Sequence, residues 1–210
     1  MPERPGTGLP PGAPGSPLAL GADGAVRCGW CAGSPEYTAY HDEEWGRPVA
    51  DETRIFEKLC LEGFQAGLAW ITILRKREAF RAAFDGFSIE AVARYGEVDA
   101  ARLMADPGIV RNRMKVDAAL HNARVAADLP DGLAALLWSF APSPRPPRPA
   151  TRADMPATTP ASTALAKELK RRGFKFVGPT TAYALMQATG MVDDHLAGCF
   201  VPPCEAATPP

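Results

Sequence analysis

No run of 18 or more apolar residues occurs in this chain, so no part of it reads as a membrane-spanning helix. Residues 1–26 lack the apolar stretch of a secretory leader and are crowded with Pro and Gly instead. With so little apolar surface to offset ordering, that segment is expected to be a disordered tail. An excess of either charge is missing too: 23 Lys and Arg face 24 Asp and Glu, for a net charge of −1. This weighs against a partner held by bulk electrostatics, nucleic acid included. Cysteine numbers five, an odd count with no export signal beside it, which favours reduced thiols or metal ligands over disulfides. Sustained two-residue alternation is absent, and with it the main signal of a β-sheet.

What is present is helical. The 210 residues, 46% of them hydrophobic, suffice for one or two small domains with a core of their own. Asp51-Glu52-Thr53 opens a helix through Ile55, Phe56, Leu59 and Cys60, which Gly63 and Gly67 then interrupt. Further helices are expected at about 69–84, 88–95, 98–104, 109–127, 133–140 and 161–172, with a last one through Tyr183, Leu185 and Met186 to Gly190. Phe174-Lys175-Phe176-Val177 is the one strand-like stretch, so the expected fold class is all-α. Residues 141–160 contain Pro142, Pro144, Pro146, Pro147, Pro149, Pro156 and Pro160, a density that forbids a regular helix. They form either an extended belt over the surface or a mobile linker. The expected organisation is a tail to residue 26, a folded region at 27–200 containing that connection, and a tail at 201–210. Basic clusters at Arg75-Lys76-Arg77, 111–115 and 167–175 read most simply as solvated helix faces.

Three constellations carry chemistry. Cys28 and His41 stand near the start of the folded region, His195 and Cys199 near its end. On a helix, the spacing of His195 and Cys199 puts both on one face. Two Cys and two His make a closed tetrahedral shell of the kind zinc takes in structural sites; the alternative is two small core thiols and two surface imidazoles. Cys31, in Cys28-Gly29-Trp30-Cys31, competes as a ligand, and Cys204 lies in a Pro-rich end. The second constellation is the turn from Gly173 to Gly178, followed by Pro179 at the first helical position and Thr180-Thr181. The unpaired N–H groups of that turn suit a phosphate; an ordinary corner between two helices is the alternative. The third is Glu62, set in the most apolar stretch of the chain, with Trp30, Tyr37, Tyr40, Trp45, Phe64 and Trp70 close in sequence. If the helix continues, Glu62, Gln65, Ala66, Ala69 and Trp70 share a face; if the glycines break it, the same residues line the break. Flat rings with one carboxylate and one amide suit a planar, polar, cationic ligand. The alternative is an aromatic core with Glu62 bonded to backbone or arginine.

Five segments together resemble one known family: Arg27-Cys28-Gly29-Trp30, Tyr40-His41-Asp42-Glu43-Glu44-Trp45-Gly46, 61–71, 170–178, and Asp194-His195-Leu196-Ala197-Gly198-Cys199. They resemble the 3-methyladenine DNA glycosylase I family, within the helix–hairpin–helix glycosylases, from Arg27 to Cys199. The resemblance implies a structural zinc on Cys28, His41, His195 and Cys199 that joins the two ends of the folded region. It implies that Glu62 hydrogen-bonds a flipped base stacked on Trp70, with Trp30 and Tyr40 as further pocket rings. It also implies that Gly173, Phe174, Gly178, Thr180 and Thr181 belong to a DNA-gripping hairpin. The Pro/Gly-rich beginning, Cys31 and Cys204 depart from the family pattern. Asp193 stands where many hairpin glycosylases carry a catalytic aspartate, and reads either as a cap or as an assisting carboxylate.

The implied activity is excision of 3-methyladenine from alkylated double-stranded DNA by hydrolysis, leaving an abasic site. No motif places a lysine as a Schiff-base nucleophile, so strand cleavage is not expected. The implied setting is the cytoplasm of a bacterium, as a monomer with no membrane and no protein partner. The competing readings are a non-catalytic helix–hairpin–helix DNA-binding module and a zinc hydrolase using His41.

Overall fold

Helix starts follow local capping chemistry through most of the chain. The computed structural model describes residues 11–13 and 15–203. Cys204, the rest of the expected 201–210 tail after residue 203, and residues 1–10 lie outside the described residues. In chain order the elements are β1 (Leu18–Leu20), β2 (Val26–Cys28), α1 (Pro35–Glu43), α2 (Glu52–Gln65), α3 (Trp70–Ala83), α4 (Ile89–Ala93), α5 (Glu97–Ala105), α6 (Arg113–Ala127), α7 (Gly132–Trp138), α8 (Pro160–Arg171) and α9 (Pro179–Ala188).

Ser34 caps α1 by accepting from Tyr37 N at 3.1 Å, with Pro35 in the first turn. Asp51 caps α2 through Arg54 N at 2.8 Å. Asn112 caps α6 through Lys115 N at 3.2 Å, so that helix starts at Arg113 rather than at 109 as expected. Glu52, in the first turn of α2, accepts from Leu133 N and Ala134 N at 2.9 Å each and thereby satisfies the start of α7.

The helical expectation holds, with two departures. One is α1, which has no apolar stripe to announce it. The other is a small antiparallel pair, β1 against β2, with Leu18 opposite Cys28. The expected tail therefore becomes ordered before residue 26: Gly29 N donates to Pro17 O at 2.7 Å and Phe200 N to Val26 O at 2.7 Å. Burial explains this, because Leu18, Trp30 and Met155 pack on a cluster of Cys28, Leu196, Cys199 and Val201, where the two ends of the folded region meet.

The main core is separate. Helix α2 runs through it, touching α3, α6, α7 and α9. Phe56, Phe64, Phe80, Phe84 and Phe87 are fully buried there, each contributing about 2–3 kcal/mol of burial. The proline-rich connection lies as a belt on the protein: Pro149 O accepts from Ala197 N at 2.8 Å, and Arg148 donates to Val201 O at 2.7 Å. Among the described residues, no helix is long and apolar enough to cross a membrane.

Candidate base-binding pocket and Cys/His cluster

The final turn of α2 ends at Gln65 because Gly67 takes a left-handed φ of +82°, which turns the chain into α3. The break, rather than a continuous helical face, is what presents Glu62, Gln65, Ala69 and Trp70 to a cavity of about 520 Å³. Trp30, Tyr37, Tyr40 and Trp45 complete its ring walls. The rings brace one another: Trp30 meets Tyr37 edge-on at 5.7 Å and Trp45 at 5.1 Å, and Tyr40 leans on Trp70 at 5.4 Å. Tyr37 also accepts from Ile71 N at 3.0 Å, which fixes the start of α3 against α1.

Glu62 is 6% exposed and has no hydrogen-bond partner among the described residues. Burial pushes its carboxyl up to about 8, and the Lys58 ammonium one turn away offsets only part of this. Trp70 Nε1 is likewise buried with no acceptor. The cavity thus holds a carboxyl without a protein partner and a buried indole N–H without an acceptor, set between flat rings, so that a ligand offering both a donor and an acceptor would complement it. Sequence reasoning missed four lining residues. Arg152 and Met155 come from the belt, where no periodicity marks them. Ala184 and Gln187 sit one turn apart on α9, and Gln187 Nε2 donates to the buried Asp194 at 2.7 Å.

Asp193 does not line this cavity. Its Oδ1 faces His195 Nδ1 at 2.9 Å and its Oδ2 accepts from Arg148 Nε at 2.8 Å. Burial alone would raise this carboxyl, but those two partners outweigh burial and bring it down to about 2. Both carboxyl oxygens of Asp193 are thus engaged, one with His195 and the other with Arg148.

Cys28, at the end of β2, His41, in the last turn of α1, and Cys199, after α9, converge so that their ligand atoms lie within 4.8 Å of one another. All three are buried. His195 stands beside this group, its ring 4.8 Å from that of His41 and its Nε2 3.4 Å from the His41 carbonyl oxygen. The segment from His195 to Cys199 is a turn, so the one-face argument from helical spacing does not apply there; Cys199 N donates to Leu196 O at 2.9 Å and Gly198 has a φ of +94°. Gly46 permits the approach of His195, since a Cβ there would sit 2.9 Å from His195 Cε1. Cys31 is buried but outside the converging group, its thiol donating to Cys28 O at 3.1 Å.

Both imidazoles have their Nδ1 against a carboxylate, His41 on Asp42 at 2.7 Å and His195 on Asp193. Asp42 is held in turn by Arg27 Nε at 3.0 Å. Each Nε2 is therefore the nitrogen left for a metal, the orienting pattern usual for metal-bound histidine. The neighbouring Cys28 thiol pulls the Cys199 sulfur down toward its thiolate, and Cys28 itself is pushed up. Two sulfurs and an imidazole nitrogen, dry and converging, fit a zinc ion.

The turn between α8 and α9 brings four of its five predicted residues to the surface or close to it. Gly173 adopts a φ of +100° and is exposed, as is Thr180; Gly178 and Thr181 are partly exposed. Phe174 differs from these four: it is 3% exposed and belongs to the main core, so its ring anchors the turn from inside. Ala66, Lys170, Phe176, Val177, Gly178 and Thr181 line an open crevice of about 420 Å³ at the start of α9.

Against known proteins, the model of the methyladenine glycosylase family matches residues 30–202. The chain is 48% identical over 177 residues to DNA-3-methyladenine glycosylase 1 of Escherichia coli (strain K12), covering 82% of this chain and 95% of that protein. It is 42% identical to DNA-3-methyladenine glycosylase of Haemophilus influenzae (strain ATCC 51907 / DSM 11121 / KW20 / Rd), covering 87% and 99%. Among solved structures it is similar to the 3-methyladenine DNA glycosylase I of Staphylococcus aureus described for 3-methyladenine recognition, with 35% identity, a TM-score of 0.81, and coverage of 86% and 98%.

Proposed function

The chain belongs to the methyladenine glycosylase family, and from that premise we propose how it recognises and removes 3-methyladenine from DNA. It is an N-glycosyl hydrolase acting in base excision repair. The observation that carries the account is Glu62, a buried carboxyl without a partner in a ring-walled cavity. N3-methylation leaves adenine cationic and its glycosidic bond weak, so the leaving base needs no proton from the protein. Discrimination is the harder task. A damaged base costs less to unstack and flip. In the cavity, Trp70 and the Tyr40 ring stack on it and favour a cation over neutral adenine. Glu62, ionised by that charge, accepts from the exocyclic amine. Water attacks the sugar carbon, and an abasic site remains with the strand intact.

Duplex DNA is gripped by the α8–turn–α9 unit, read as a helix–hairpin–helix: Gly173, Gly178, Thr180 and Thr181 bring backbone N–H groups of the α9 start to one strand. Cys28, His41 and Cys199 would hold a structural zinc, with His195 beside them as a fourth donor; bound there, zinc would tie the two ends of the folded region together and supply no chemical step. Trp30 packs on His41 at 5.4 Å and Trp45 on His195 at 4.9 Å, so the joint stiffens two pocket walls. The protein acts as a monomer in the bacterial cytoplasm. A full ring-walled cavity favours this reading over a non-catalytic DNA-binding module.

The test is to incubate the protein with methylated duplex DNA and resolve the products by chromatography. Free 3-methyladenine should appear with uncleaved strands, and a brief chelator pulse that leaves the fold intact should not stop it. No released base would overturn the function; immediate loss on chelation with the fold intact would overturn the structural role of zinc.

A further inference from the structure

Helix α6 bears on both the pocket and the hairpin, and makes no contact with the flipped base in the account above. Lys115 is 9% exposed, and its Nζ donates to Phe64 O at 2.8 Å and Ala66 O at 2.6 Å. Those carbonyls end α2, the helix that carries Glu62 and Gln65, just before the Gly67 turn. Two turns further along α6, Asn122 clamps Lys175 from both sides: its Nδ2 donates to Lys175 O at 3.0 Å and its Oδ1 accepts from Lys175 N at 2.8 Å. His121 Nε2 lies 2.9 Å from Gly173 O. Phe176, next to the clamped residue, holds a φ of +58°, a strained value for a phenylalanine. Gly63, Phe64, Lys115, Asn122, Lys175 and Phe176 line one narrow crevice where α2, α6 and the hairpin meet.

We propose that Lys115 and Asn122 are positioning residues that use α6 as a ruler. Lys115 sets the end of the helix that bears Glu62, and Asn122 sets the hairpin. Their separation of about 10 Å along a rigid helix fixes the distance between the base pocket and the DNA grip. A nucleotide gripped at its backbone then reaches the pocket at one depth only. The inference rests on reading the 173–178 turn as the DNA grip.

Two dissociation constants separate the roles: one for free 3-methyladenine, by quenching of pocket tryptophan fluorescence, and one for a duplex carrying a tetrahydrofuran abasic analogue. Asn122→Ala should weaken duplex binding about tenfold and leave free-base binding unchanged, since two hydrogen bonds to the hairpin are lost. Lys115→Met should do the reverse, weakening free-base binding about tenfold. Should Lys115→Met not fold, Lys115→Gln keeps one donor and should shift the same constant by a smaller factor. Gly178→Asp tests the underlying reading, because nothing lies within 4 Å of a Cβ there and the added charge repels phosphate. Duplex binding unchanged in Gly178→Asp would remove the grip itself. Duplex binding weakened in Gly178→Asp but not in Asn122→Ala would overturn the positioning role alone. Variants that shift both constants together, at equal folded fraction by circular dichroism, would reduce Lys115 and Asn122 to structural residues.

Discussion

Two glutamates on α2, five positions apart, are buried to nearly the same degree and surrounded in opposite ways. Glu57, 4% exposed, accepts from Arg81 Nε at 2.9 Å and Arg54 Nη1 at 3.2 Å. Glu62, 6% exposed, accepts from nothing among the described residues. Glu57 is a component of the fold, its charge compensated by two arginines. Glu62 instead faces the ring-walled cavity, with no arginine bonded to it among the described residues. The contrast teaches that burial alone does not separate the two carboxylates; what separates them is the arginine pair at Glu57 and the cavity at Glu62.

The comparison breaks or sharpens under substitution. The largest effect is expected at Glu62→Gln, which should lower 3-methyladenine release on the order of a hundredfold or more, measured by single-turnover excision. The fold should survive it. The folded value of about 8 lies above the ordinary 4.5, so the stabilising contribution of the protonated carboxyl is present at low pH and lost as pH rises toward 8. Glu62→Gln should accordingly melt higher than the parent at pH 9. Next comes Cys199→Ala, which should lose bound zinc by elemental analysis and lower Tm before altering any chemical step; an inactive variant that keeps its zinc would contradict the joint. Glu57→Gln should be smaller and opposite in kind. It should cost about 1–2 kcal/mol of stability, by weakening the bonds to Arg81 and Arg54, which keep Glu78 and Glu44 as further partners, while the folded fraction excises normally. The smallest effect is in pH dependence. Excision should climb from pH 6 and level off above about 8 as Glu62 ionises in the free protein, and Glu62→Gln should flatten that limb.

Much of this was legible in the chain. Caps at Asp51 and the Pro179 start located α2 and α9, and a carboxylate within an apolar, aromatic run drew attention to Glu62. The ring cluster was visible as density before it was visible as a cavity. Other features depended on distant partners that spacing does not encode. Asp193 meets Arg148 from the belt, so its sequence position next to Asp194 said nothing of its engagement. Phe174 looks the same in sequence whether its ring faces in or out, and only the core underneath decides. Arg152 and Met155 lie among prolines with no periodicity to carry a signal. The β1–β2 pair is three residues a side, too short to alternate, and Leu18 packs on the buried cluster of Cys28, Leu196, Cys199 and Val201. In α1 the Ser34-Pro35 start was present, but an apolar stripe was not.

The central claim is that the partner missing from Glu62 is the cationic base itself. Carbon-13 NMR of side-chain-labelled glutamate tests it most directly. The account predicts one carboxyl resonance that titrates near pH 8 in the free protein, vanishes in Glu62→Gln, and moves to its ionised position at pH 7 when 3-methyladenine saturates the pocket. A Glu62 resonance already ionised at pH 7 and unmoved by 3-methyladenine would contradict it.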